Sequence, residues 1–305
     1  MPLLHHGIAS MIIMAPYNGT RSPHGQDGHY IDNVADYMLQ SLAIIHEVAA
    51  LIRTLDHGID GPRPNERLGK RANHTLGVVG LSWGGAMAAC ASLVSQRPVA
   101  CMVGLGSDSP KVMATGALNW QLDWEMLQNG GGEVAVNGSR KGTKGASVYP
   151  KRLTRSEAEA QIVKVFTRIT FATLVEVAPI PQSIGSCVQV VARDDHYVSA
   201  EEGIQLHDSL RKAVLPDCTL CSLRWVDGGH ATSFVRQTAI FVPAIVDAID
   251  AVARGKQSVD TAAAAEKRGV NKTLDTRATK MRRVMMYVVA CIATAVVVQA
   301  LLYRE

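Results

Sequence analysis

The segment Gly80-Leu-Ser-Trp-Gly-Gly85 constrains the fold of this chain more than any other part of the sequence. The apolar run 75–79 precedes it, and the small-residue run 86–91 follows it. A buried strand that turns sharply into a helix, with a serine at the turn, is the setting of a nucleophile elbow. The flanking glycines tolerate a strained turn and let strand and helix approach closely. The pattern predicts Ser82 as a nucleophile and the backbone N–H of Trp83 as an oxyanion donor. The alternative interpretation is a purely structural glycine-rich turn.

Apolar runs alternate with helical periodicity along residues 1–254, which predicts one domain. The predicted strands are 8–15, 76–81, 99–105, 187–192 and 219–226, and the predicted helices are 29–57, 84–95, 156–176, 201–213 and 232–252. Alternating strands and helices favour an α/β fold with a mostly parallel sheet and helices on both faces.

An insert of about 107–180 lies between two strands of the predicted core. It includes a low-complexity stretch at 130–145, followed by a helix for which Ser156 is a possible N-cap. Its position predicts a cap over the site, and a solvated insertion without a role is the alternative.

The catalytic partners of a serine in this kind of fold follow it in the order acid, then histidine, each in a loop after a strand. Asp195 follows one predicted strand and starts a D-x-x-V turn, so we predict it as the acid, with Asp194 as the alternative. His230 follows the next strand and a Gly-Gly turn, so we predict it as the general base, with His196 as the rival.

Composition excludes several other classes of protein. The chain has 305 residues, 47% hydrophobic and 19% charged, with a net charge of only +4 and 5% aromatic residues. These values are typical of a globular protein without a nucleic-acid-binding stripe. We expect no cofactor, because the chain has neither the G-x-G-x-x-G nor the P-loop pattern.

Neither the histidines nor the cysteines of the sequence predict a metal site. His5 and His6 have no carboxylate or cysteine at metal-ligand spacing. Cys218 and Cys221 form a lone C-x-x-C, which we interpret as core filling or surface thiols in a reducing compartment. A redox or metal-binding pair is the alternative for these two cysteines.

The run from Val284 to Tyr303 is 20 residues long and carries no charge. As a helix it would span ~30 Å, the thickness of the hydrocarbon core of a bilayer. Basic residues at 280, 282 and 283 precede it, which favours a cytosolic location for the domain. The sequence therefore predicts a transmembrane tail anchor after a polar linker at 255–279, in the mitochondrial outer membrane or endoplasmic reticulum. The alternative is a buried core helix.

Taken together, the motifs resemble one branch of the alpha/beta-hydrolases, the alpha/beta-hydrolase domain-containing protein 18 family. The resemblance covers most of residues 3–254 and is poor over 110–180. It rests on the elbow together with Gly7-Ile-Ala-Ser, Ala15-Pro-Tyr-x-Gly-x-Arg-x-Pro23, Val188-Gln-Val-Val-Ala-x-Asp-Asp195-x-Tyr-Val198 and Gly228-Gly-His230-x-x-Ser-Phe234.

The resemblance implies that Ser82 is the nucleophile, Asp195 the orienting acid and His230 the base. It also implies a lipid-acyl hydrolase associated with mitochondria. In the family, further strands and a glycine-containing loop precede Gly7, and that loop supplies the second oxyanion donor. We expect those N-terminal strands to be missing here, with Leu4–Gly7 as a remnant of the loop. The tail anchor is a second departure from the family pattern.

Three functions remain open from the sequence. The first is a membrane-anchored serine hydrolase that cleaves a lipid-like acyl ester through an acyl-enzyme. The second is a catalytically impaired pseudo-hydrolase that serves as a tail-anchored scaffold, and the third is an acyltransferase that uses the same residues. The expected partners are an acyl-ester substrate and a membrane, without nucleic acid.

Overall fold

The computed structural model describes most of the predicted domain and a short piece near the C-terminus. The described residues are 2–22, 24, 34–57, 59–60, 67–68, 75–95, 97–116, 119, 124, 128, 153–177, 184–214, 218, 220–268 and 286–291. The predicted low-complexity stretch at 130–145 and the second part of the predicted polar linker, 269–279, lie outside them.

The described strands form a six-stranded parallel sheet and a separate two-stranded ribbon. The strands are β1 Ile8–Ile13, β2 Ile59–Asp60, β3 Arg67–Leu68, β4 Leu76–Leu81, β5 Val99–Gly104, β6 Ile184–Ala192, β7 Cys221–Val226 and β8 Met286–Cys291. The order across the large sheet is β1-β8-β4-β5-β6-β7, and β2 pairs with β3 in the ribbon. Because the strands of the large sheet run parallel, their carboxyl ends lie along one edge, where ligands of such folds bind.

Helices cover both faces of this sheet. They are α1 Val34–His57, α2 Trp83–Val94, α3 Lys111–Ala114, α4 Arg155–Thr167, α5 Phe171–Val177, α6 Ala200–Ala213, α7 His230–Val235 and α8 Gln237–Arg268. Short 3-10 turns at Pro2–His6 and Gly19–Arg21 flank β1. The mostly parallel α/β architecture predicted from the sequence is therefore confirmed.

Alternate residues of the central strands contribute to two separate hydrophobic layers. In β5, Val99, Cys101 and Val103 join the layer beneath α1, α2 and α6, whereas Ala100 and Met102 join the layer beneath α8. All six β5 residues are buried. A strand buried on both faces reads as an unbroken apolar run, which is why periodicity of two is absent here.

Two predicted helices are each divided in the structure. The predicted helix 156–176 consists of α4 and α5, and its N-cap is Thr154, not Ser156. Thr154 and Glu157 form a capping box, the S/T-x-x-E pattern that the sequence displays at this point. Likewise, the predicted helix 232–252 corresponds to α7 followed by α8, and α8 continues to Arg268.

The transmembrane helix predicted over 284–303 is not supported. Met286–Cys291 form β8, which pairs in parallel register with β1 on one side and with β4 on the other. Interior parallel strands and membrane helices are both built from uncharged apolar residues. Composition alone therefore did not distinguish the two structures for this run. The rest of that run, 284–285 and 292–303, lies outside the described residues.

Within the described residues, one helix is long and apolar enough to cross a membrane, the 20-residue stretch Tyr37–Asp56 of α1. Its side chains Ile44, Val48 and Ile52 are buried in the core against α2. One face of α1 therefore packs in the core, whereas Leu39 and Leu42 of the same helix are exposed.

We expect a chain that ends at residue 283 to lose cooperative unfolding, because β1 and β4 would each lose a neighbouring strand and expose an apolar edge. Thermal unfolding by circular dichroism checks this, and a chain that ends at residue 295 is the matched control because it keeps β8. A shortened chain that stays folded, while the full chain sediments with membranes, would instead support the anchor.

Candidate active site

Ser82 occupies the sharp turn between β4 and α2. Its φ of 55° and ψ of −128° are rare for a residue with a side chain. A Cβ atom on Gly80 would lie 1.9 Å from the carbonyl oxygen of Gly84, so only glycine fits there. Trp83 is the first residue of α2, where a backbone N–H has no acceptor within the helix. The turn therefore presents a hydroxyl and a free backbone donor together.

Asp195 and His230 are in direct contact at the same edge of the sheet. The Nδ1 atom of His230 lies 2.7 Å from the Oδ2 atom of Asp195, and both side chains are 1% exposed. The other carboxylate oxygen, Oδ1, accepts the N–H groups of Tyr197 at 2.8 Å and Val198 at 3.0 Å. The turn after β6 thus fixes the carboxylate, and the carboxylate fixes the imidazole.

The ring of His230 is also held from both sides. Its centroid lies 5.4 Å from that of Tyr197 and 5.8 Å from that of Phe234. With Nδ1–H donating to Asp195, Nε2 is the unprotonated nitrogen. Nε2 is buried and has no hydrogen-bond partner among the described residues. The histidine therefore carries an oriented acceptor whose bonding capacity is unused.

The rival residues lie elsewhere on the surface. Asp194 and His196 are both exposed, and the backbone N–H of Asp194 donates to the carbonyl oxygen of Gly228. Of the four candidates named from the sequence, the structure brings together Asp195 and His230.

Ser82 shares the carboxyl edge with this pair through a series of backbone hydrogen bonds. Ser82 N–H donates to Gly104 at 2.7 Å, and Leu105 N–H donates to Val190 of β6 at 2.8 Å. Val198, whose N–H donates to Asp195, lines the same cavity as Ser82. The structure records no hydrogen bond between the Ser82 hydroxyl and Nε2 of His230, a contact that often tightens only when substrate binds.

A cavity of about 60 Å³ opens beside Ser82. Its apolar wall includes Tyr37, Trp83, Met87 and Phe166, with the rings of Tyr37 and Phe166 4.7 Å apart. Phe166, together with Ile169 and Thr170 of the α4–α5 connection, comes from the 107–180 insert. Part of the insert therefore forms a wall of the cavity.

Two polar residues at this edge were not identified from the sequence. Asp108 follows β5, lines the cavity with Ser82, and accepts the N–H of Ala172 at 3.1 Å. Gln189 is fully buried in β6 and donates to the carbonyl oxygens of Gly203 at 2.8 Å and Gly106 at 3.3 Å. A glutamine within an apolar strand was the available signal for Gln189, whereas nothing local distinguished Asp108.

The predicted remnant of a second oxyanion loop lies far from Ser82. Leu4–Gly7 directly precedes β1. Ala9 of β1 and Leu76 of β4 both pair with Tyr287 of β8, so these two residues lie at the same height in the sheet. Ser82 is six residues further along β4, roughly 20 Å away at the rise of a strand. Leu4–Gly7 therefore lies at the amino edge of the sheet and does not supply an oxyanion donor.

Metal-binding geometry is absent from the part of the chain that the structure describes: no group of three or more His, Cys, Asp or Glu side chains could hold an ion. His5 and His6 are exposed. Cys218 and Cys221 are free and partly buried, and Cys221 lies across from Cys187 in the β6–β7 register.

Comparison with known protein families adds to this geometry. The family model for alpha/beta hydrolase domain containing 18 matches residues 1–251. The chain belongs to this family. The matched residues include the elbow, Asp195 and His230. The resemblance inferred from the motifs is therefore confirmed.

We expect Gln189→Leu to lower the free energy of unfolding by about 1 to 3 kcal/mol, because the carbonyl oxygens of Gly106 and Gly203 lose their buried donor. Chemical denaturation checks this value. Gln205→Leu, at an exposed position on α6, is the control and should change stability by no more than about 0.5 kcal/mol. Equal effects of the two substitutions would contradict the role of the Gln189 amide.

Asp108 predicts a pH dependence of stability. Burial raises the pKa of its carboxyl, and backbone N–H groups of Ala172, Asp108 and Phe171 partly oppose the rise. Because the folded-state pKa lies above the unfolded one, stability falls as pH rises through the interval between them. We therefore expect Asp108→Asn to be more stable than the native chain at pH 7 and to lose that advantage below about pH 4. Denaturation at both pH values checks this, and a variant destabilised at pH 7 would contradict it.

Proposed function

We propose that this protein is a serine hydrolase that cleaves a carboxylic ester through an acyl-enzyme. The observation that carries the proposal is the buried 2.7 Å contact between Asp195 and His230, at the same sheet edge as the strained Ser82 turn. A serine hydroxyl is a weak nucleophile without a base, and an oriented imidazole with a free Nε2 is the base that such chemistry needs.

The reaction begins when the Ser82 oxygen attacks the carbonyl carbon of the ester while Nε2 of His230 takes the hydroxyl proton. Asp195 stabilises the imidazolium that forms. The tetrahedral intermediate collapses, the C–O bond to the alcohol breaks, and His230 returns the proton to the leaving oxygen. A water molecule, deprotonated by His230, then attacks the acyl carbon. The bond to the Ser82 oxygen breaks, the free acid leaves, and His230 returns the proton to Ser82. Each proton that His230 takes is given back, so the cycle balances.

The backbone N–H of Trp83 is the donor that we assign to the oxyanion. It belongs to the first turn of α2, so the positive end of the helix dipole adds to the field at the same point. Loss of one such donor typically costs ~10²–10³ in turnover. A second donor is not assigned among the described residues near Ser82.

A lipid-like acyl chain is the substrate that we propose for the cavity. Its wall is largely apolar and aromatic, which favours hydrocarbon over a charged group. The α4–α5 connection closes one side and would shield the acyl-enzyme from bulk water. Acyl transfer would use the same residues with an alcohol in place of the water.

A membrane location is a separate proposal. It rests on the uncharged run 284–303 and the basic residues before it, and the strand placement of Met286–Cys291 counts against a helix over those six residues. The domain would face the cytosol from the mitochondrial outer membrane or the endoplasmic reticulum. The chain that ends at residue 283 tests this proposal independently of catalysis.

We expect a fluorophosphonate probe to label the native protein and to leave Ser82→Ala unlabelled, because the probe reacts with an activated serine oxygen. Asp195→Asn should label about 10³- to 10⁴-fold more slowly, because the imidazole would lose its orientation and its stabilising charge. In-gel fluorescence against time measures these rates.

Asp194→Asn is the matched control, since it makes the same change at the exposed neighbouring residue, and it should label at the native rate. Unlabelled native protein that is otherwise folded would favour the scaffold function instead.

A further inference from the structure

Asp108 is held next to the Ser82 turn by the end of β5. Ser82 N–H donates to Gly104, and a Cβ atom on Gly106 would lie 3.2 Å from the carbonyl oxygen of Ser82. Gln189 donates to the carbonyl oxygen of Gly106 from the opposite side. The loop that carries Asp108 is therefore fixed against the nucleophile turn, and Asp108 lines the same cavity as Ser82.

The carboxyl group of Asp108 has hydrogen-bonding capacity left. Its Oδ2 atom accepts the N–H of Ala172, and the N–H groups of Phe171 and of Asp108 itself also stabilise the charge. A carboxylate accepts about four hydrogen bonds. These contacts leave the carboxylate able to accept a further donor supplied from the cavity.

Among the described residues that line the cavity, Asp108 is the only charged one. The hydroxyls of Ser41 and Thr170 already donate to the carbonyl oxygens of Tyr37 and Thr167, at 2.9 Å and 3.0 Å. Partial burial makes the charge of Asp108 costly, and a neutral side chain could accept the N–H of Ala172 equally well. The charge is better explained by a group that enters the cavity than by the fold.

We propose that Asp108 is a specificity-determining residue that accepts a hydrogen bond from a hydroxyl group of the substrate, next to the scissile ester. The substrate class is then a hydroxylated ester, such as a partial ester of a polyol. The inference rests on the proposed function, because it takes Ser82 as the point where the ester is attacked.

A hydroxyl group fits this site better than an ammonium group. A hydroxyl donates one hydrogen bond, which the Asp108 carboxylate alone can accept. An ammonium group donates three. The rest of the lining is largely apolar, and the hydroxyl oxygens of Ser107 and Ser109 already accept the N–H groups of Ser109 and Lys111.

The experiment measures binding in the Ser82→Ala background, so that its result does not depend on turnover. Isothermal titration calorimetry gives the Kd of glycerol monobutyrate, propyl butyrate and 3-aminopropyl butyrate, which share one acyl group. We expect glycerol monobutyrate to bind about 10- to 100-fold more tightly than propyl butyrate, the range for a hydrogen bond to a charged group. Addition of Asp108→Ala, which removes both acceptor oxygens, should reduce the ratio to about one, and addition of Asp208→Ala, at an exposed position on α6, should leave it unchanged.

Equal affinities in the Ser82→Ala protein would overturn the inference without any substitution at Asp108. A preference that survives Asp108→Ala, or tighter binding of 3-aminopropyl butyrate than of glycerol monobutyrate, would also overturn it. A failure of the proposed function is distinguishable, because it appears as native protein that the fluorophosphonate does not label, whatever the Kd values are.

Discussion

The backbone hydrogen bond from Ser82 to Gly104 joins two strained turns, and the rest of the site depends on it. Ser82, directly after β4, has a φ of 55°, and Leu105, directly after β5, has a φ of 54°. Leu105 in turn donates to Val190, so the ends of three adjacent strands are bonded in sequence. Non-glycine residues with positive φ cost of order 1–3 kcal/mol each and persist only where the surroundings over-determine them. Here the surroundings are the parallel sheet and the buried amide of Gln189, which holds the second turn.

The residues of the site that are recognisable from a short stretch of neighbouring sequence could be predicted. Ser82 lies in a strand–turn–helix pattern that only a few residue types satisfy, and Asp195 and His230 each follow an apolar run that reads as a buried strand. Parallel topology then brings the ends of these strands to one edge, so a short-range pattern implies a long-range arrangement. Asp108 and Gln189 could not be found in this way, because their roles depend on contacts with Ala172 and Gly203 in other elements. The division of the helix at 168–170 was missed because its apolar periodicity continues through the break.

The apolar run at 284–303 shows where such reasoning stops. Interior parallel strands and membrane helices both avoid charge, and they differ in length and in how their backbone groups are bonded. A run of this length predicts a helix only if no sheet nearby has room for a strand. In the described sheet, β8 lies between β1 and β4 and pairs with both. The choice is therefore made by the rest of the fold, and the composition of the run cannot reveal it.

Some unfavourable features of the described structure lie at the carboxyl edge of the sheet, whereas others, such as the buried unpaired hydroxyls of Thr75 and Ser222, lie elsewhere among the described residues. α4 and α6 begin with complete capping boxes, at Thr154 and Ser199, so these helices obey the local rules. At the carboxyl edge of the sheet, by contrast, Ser82 is strained, Nε2 of His230 is buried without a partner, and Asp108 carries a charge in a largely apolar cavity. Each of these departures costs folding free energy, and two of them, at Ser82 and Asp108, lie in the lining of the cavity. Proteins usually break such rules of local structure at the residues that carry out their function. The departures at Ser82, His230 and Asp108 are the physical argument for a reaction at that edge, and this argument stands apart from family membership.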